Sequence, residues 1–130
     1  MEHHYGQSTR VITNILNRDK QRLKRVFRDV CWSLQWDPFV DTLVFFCDHG
    51  KHRSVGVESL TANAMALCTT AWEIPYPVHL MRKYWSGKKC GWAKCAECDF
   101  HNEEKQAAFL VAAELFMEAW VQQSQWTTHL

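Results

Sequence analysis

The densest run of chemistry-bearing side chains is His49, Gly50, Lys51, His52, Arg53 and Ser54. Leu43, Val44, Phe45, Phe46 and Cys47 precede it as an apolar, strand-forming run, and a helical pattern begins at Ser54. A strand feeding a tight turn and then a helix leaves main-chain N–H groups unpaired at the turn. Those donors, with the positive end of the helix, form an anion site. Lys51, His52 and Arg53 add charge and directed hydrogen bonds. The run therefore predicts a pocket for a phosphate or another oxyanion.

A second constellation is Cys90, Cys95, Cys98 and His101, spaced Cys-x4-Cys-x2-Cys-x2-His. Three thiolates and an imidazole within a dozen residues suit tetrahedral zinc, bound structurally because four protein ligands leave no open position. His79 is an alternative fourth ligand. A disulfide is disfavoured, since three cysteines leave one unpaired and no secretory leader precedes them. Lys88, Lys89 and Trp92 lie in the same segment, and basic residues beside an aromatic suit RNA.

These groups need elements to hold them. Residues 19–35 carry Leu23, Val26, Phe27, Val30, Cys31 and Leu34 on one face of a helical period. Lys24, Arg25 and Arg28 fall on the outer side and are candidates for contact with RNA phosphates. Solvation alone explains a basic outer face about as well. Asp37 and Pro38 end this helix. The continuous apolar run over residues 40–47 reads as a central parallel strand, residues 54–70 as a helix, and residues 73–80 as a second strand at a sheet edge. A right-handed crossover would then bring His79 near the anion turn. Residues 103–124 form the last helix, capped by Asn102. The expected architecture is a single α/β domain over residues 1–130, with a small parallel or mixed sheet and flanking helices. Residues 1–16 make an N-terminal arm, and residues 86–101 a zinc-stabilised loop. Within the arm, Val11, Ile12, Ile15 and Leu16 fit a short helix or an entry strand.

The stretch from Cys47 to Val55 resembles the C-terminal domain of the bacterial RNase adapter protein RapZ family. The segment Gly50-Lys51-His52-Arg53-Ser54-Val55 matches unbroken, and Val78-His79-Leu80 matches a later segment loosely. The resemblance implies an α/β RNA-binding domain without catalytic activity of its own. It implies a pocket for a phosphate-bearing small molecule, with His52 and Arg53 as contacts. Asp48 and His49 depart from the family pattern and put bulk and an acid beside the pocket. Cys47 followed at the right spacing by Arg53 also fits a cysteine-dependent phosphatase, although only Gly50 supplies loop freedom. A third reading is a structural subunit of a larger, ribonucleoprotein-like assembly.

Composition bounds these readings. The chain has 130 residues, is 47% hydrophobic and 22% charged, and contains seven Trp and seven Phe. That is a globular composition, and the aromatics could fill a dense core or form a partner-facing surface. The formal net charge of +1 hides segregation: seven basic residues over 10–30, five over 82–94, and six acids over 97–118. Two basic stretches suit an anionic partner. No apolar run approaches the ~20 residues of a membrane span, and an intracellular location, cytoplasmic or organellar, is the expectation.

The cysteine spacing generates a direct test. Metal analysis of the full chain is expected to find about one zinc per chain. Cys95→Ser should release it, and a metal-free protein of unchanged fold would exclude the site.

Overall fold

The computed structural model describes residues 8–37, 42–45, 53–68 and 101–128. They form four helices: α1 (Thr9–Arg18), α2 (Lys20–Trp36), α3 (Arg53–Cys68) and α4 (Glu103–Thr128). Among the described residues there is no strand, so the expected α/β sheet is replaced by helix-on-helix packing.

Helix α1 starts where Ser8 can cap it. Ser8 is extended, with φ −68° and ψ 146°, and its Oγ accepts from the Val11 amide at 3.2 Å. Val11, Ile12, Ile15 and Leu16 are all buried. Residues 9–16, read from sequence as part of an arm, thus supply one wall of the core. The helical alternative for this patch is the one the chain adopts.

One residue joins α1 to α2. The Asp19 amide donates to the Ile15 carbonyl at 3.0 Å, while the Asp19 carbonyl accepts from the Leu23 amide at 3.0 Å. Asp19 therefore closes one helix and opens the next through its backbone. Its side chain makes no capping bond to α2. Leu23, Phe27, Val30 and Cys31 are the buried face of α2, as the periodicity predicts. The helix stops at Asp37, whose extended ψ of 101° is what a following proline requires.

Helix α4 packs against α1, α2 and α3. Its 26 residues span about 39 Å at 1.5 Å per residue. Asn102 caps it, with Oδ1 accepting from the Lys105 amide at 3.1 Å, and Glu103 and Glu104 complement the positive helix end. Along its inner face, Ala108, Phe109, Ala112, Phe116 and Ala119 are buried. Small residues let neighbouring backbones approach, and the two rings fill the space between them. Phe116 meets Phe27 edge to face, with centroids 5.4 Å apart and an interplanar angle of 73°.

The expected strand over 40–47 fails where it is described. Residues 42–45 are not a strand; Val44 is 72% exposed, and of this segment Phe45 packs onto the core. A short apolar run has the same composition whether it pairs in a sheet or lies across helices. Here the helices already cover one another, and the run lies over them. The expected second strand over 73–80 lies outside the described residues.

Phe116→Ala should cost about 3–5 kcal/mol, because the ring is fully buried and contacts Phe27. Ala112→Leu should cost about 1–3 kcal/mol by overpacking the same face. Urea unfolding followed by circular dichroism reads both; a loss under ~0.5 kcal/mol for both would exclude this helix face as the core.

Candidate nucleic-acid interface

The buried face of α2 fixes which of its residues meet solvent. With Leu23, Phe27, Val30 and Cys31 turned inward, Arg25, Arg28, Trp32 and Trp36 line up on the opposite side at spacings of three and four. Arg25 and Arg28 are exposed, and Lys24 is half-buried beside them. Trp32 and Trp36 are 46% and 41% exposed. Their rings lie 5.0 Å apart at 33°, in mutual contact but with much of their surface in water. Among the described residues, neither Arg25 nor Arg28 has a hydrogen-bonding or acidic partner. The strip joins free guanidinium groups to a pair of broad aromatic faces.

The sequence reading found the basic half of this strip, Lys24, Arg25 and Arg28, but not the tryptophans. The signal was present: two Trp four residues apart, in register with the arginines and off the apolar face. Composition alone leaves open whether aromatics fill a core or face a partner.

An apolar groove of about 430 Å³ runs along the neighbouring flank of α2. Its described lining is mostly apolar: Leu23, Val26 and Val30 of α2, Leu43, Val44 and Phe45, with Ile15 of α1 and Val57 of α3. Arg22, Asp29 and Ser33 of α2, and Asp19 at the α1–α2 junction, are its polar lining residues.

The other expected site residues are distributed as follows. Arg53 and Ser54 open α3, which agrees with a helix beginning at the anion turn. His49, Gly50, Lys51, His52 and His79 lie outside the described residues, as do Cys47, Lys88, Lys89, Cys90, Cys95 and Cys98. His101 is exposed in the turn before α4. Among the described residues, no three metal-binding side chains converge. Residues 42–45 are not a strand, and residues 46–52, which carry the turn itself, lie outside the described residues.

Two thiols face α4 from different helices. Cys31 Sγ donates to the Phe116 carbonyl at 3.9 Å, and Cys68 Sγ donates to the Ala113 carbonyl at 3.4 Å. Burial, followed by the neighbouring Cys68 thiol, pushes the Cys31 pKa up to about 12; burial also raises that of Cys68. Both are packing thiols, as their place on apolar faces predicts. On α3, burial lifts the Glu58 carboxyl to about 7.

No family model, curated protein or solved structure matches the chain. The α/β fold implied by the RapZ-like segment is not the fold of the described residues. No described helix is long and apolar enough to cross a membrane.

The Glu58 shift sets a pH dependence. The folded protein holds this proton more tightly than the unfolded chain. The stabilisation is therefore complete below the unfolded value of 4.5 and is lost as pH rises through about 7. Glu58→Gln should raise the urea midpoint at pH 8 and change it little at pH 4.5. An equal effect at both pH values would contradict the burial of this carboxyl.

Proposed function

We propose that the protein binds single-stranded RNA along the outer face of α2, without catalysis. The observation that carries this reading is the solvent-facing stripe in which Arg25 and Arg28 continue into the contacting pair Trp32 and Trp36. Guanidinium groups neutralise phosphates and make affinity salt-dependent. Exposed indole faces stack on unpaired bases, which a duplex does not offer. Leaving two half-exposed indoles in water has no stability rationale, since the hydrophobic gain comes from covering them. The acidic side chains on α4, Glu103, Glu104, Glu114 and Glu118, are all exposed and belong to a different helix. Apart from Asp29, the charges of α2 are basic, which favours an oriented approach of a polyanion.

Support for this reading comes from side-chain chemistry and exposure, and not from the RapZ-like turn. A phosphate-bearing small molecule at residues 49–54 would be a separate ligand. It would use the N-terminus of α3 together with His52 and Arg53.

A second reading, a subunit of a larger assembly, is favoured by one observation. Leu110, Val111, Met117 and Val121 on α4 are exposed, at 58%, 42%, 41% and 45%. An apolar outer strip on a helix already buried on its inner side suits a protein neighbour.

Fluorescence anisotropy with a labelled uridine octamer separates the readings. Binding should weaken steeply with salt, at a slope of about 0.7 per phosphate contact. Replacing Arg25 and Arg28 by Ala should flatten that slope by one to two such steps. Trp32→Ala and Trp36→Ala should each cost about 1–3 kcal/mol with the slope retained. No binding at low salt, or binding indifferent to all four changes, would overturn the RNA reading. Association abolished by Leu110→Glu together with Met117→Glu would favour the assembly.

A further inference from the structure

The groove beside the stripe has a lining that a phosphate chain does not explain. Asp19 and Asp29 are among its lining residues, and the rest of the described lining is mostly apolar. Phosphates are repelled by the first and gain nothing from the second. A flat ring bearing N–H donors is accepted by both. Resting on the RNA reading above, we propose that this groove is a pocket for one unpaired guanine base, turned out of the strand that runs along the α2 stripe.

The geometry supports this occupant on four counts. Arg22, Val26, Asp29 and Ser33 sit on successive turns of α2, directly beside the stripe of Arg25, Arg28, Trp32 and Trp36. A strand stacked on the tryptophans therefore passes the mouth of the groove. The groove measures about 430 Å³, within the ~300–1,000 Å³ of small-molecule sites and ample for a purine. Val26 and Phe45 line it, offering an aliphatic surface and an aromatic ring to the base faces. Asp29 is exposed and has no hydrogen-bonding partner among the described residues, so both its oxygens can accept.

The choice of base follows from that carboxylate. An ionised Asp only accepts hydrogen bonds. Guanine presents two adjacent donors on its pairing edge, the ring N1–H and the exocyclic N2 amino group. They match the two oxygens of Asp29 as a bidentate pair. Adenine and cytosine present one amino group beside an acceptor nitrogen, which meets the carboxylate lone pairs unfavourably. Uracil presents one N–H flanked by two carbonyls. Arg22, also without a partner among the described residues, lines the same groove and is available to the phosphate of the turned-out nucleotide. Ser33 supplies a hydroxyl that can donate to a ring acceptor.

The test compares three octamers by anisotropy: all uridine, uridine with one central guanosine, and uridine with one central inosine. Inosine lacks the N2 amino group. The guanosine octamer should bind at least fivefold tighter than the all-uridine one, as expected for one bidentate base contact of ~1–3 kcal/mol. Inosine should fall between them. Asp29→Asn places a donor where an acceptor is needed, and should remove the guanosine advantage while all-uridine binding is kept or slightly strengthened. Asp29 is exposed, and circular dichroism checks that the variant is folded. Equal affinity for the three octamers, with all-uridine binding intact, overturns the guanine pocket and leaves the RNA reading standing. A guanosine advantage unaffected by Asp29→Asn also overturns it. Binding of none of the octamers overturns both together.

Discussion

Burial of one face of α4 is the constraint on which the described structure depends. Ala108, Phe109, Ala112, Phe116 and Ala119 face inward together, and the other three helices are arranged against them. The alanines set the distance of approach, and the phenylalanines fill what remains. Once that face is covered, α2 has a single orientation left. Phe27 must reach Phe116, and Gln35 must reach the Trp120 carbonyl and the Ser124 hydroxyl, at 3.1 and 3.2 Å. The exposed stripe of arginines and tryptophans is the other side of that orientation. Its position in solvent is a consequence of what the opposite side buries.

The same packing explains the inert cysteines. Cys31 and Cys68 approach α4 from different helices and donate to carbonyls three residues apart. Burial disfavours the thiolate, so these sulfurs behave as small apolar side chains with a weak donor. Glu58 shows the opposite side of this physics. Its carboxyl is held back from water, and keeping its proton is the less costly state.

Much of the helical content was legible. The face of α2, the cap at Asn102 and the first turn of α4 are local patterns, and each was read with its boundary within a few residues. The groove was not legible. It joins Ile15 of α1, α2, Phe45 and Val57 of α3, and no spacing rule connects those residues. The place of Trp32 and Trp36 was not legible, because aromatics can fill a core or face a partner and only the packing of the helices leaves these two outside.

The sequence by itself determined where helices begin and which of their sides are apolar, because capping and a 3.6-residue period are local properties of the chain. It also determined that the positive charge gathers on α2. Only the tertiary structure decided whether the apolar run ending at Phe45 would be a strand. A strand is stable only when another chain segment pairs with it, and that pairing is not written in the run itself. Among the described residues the helices cover one another, and the segment over residues 42–45 is not a strand.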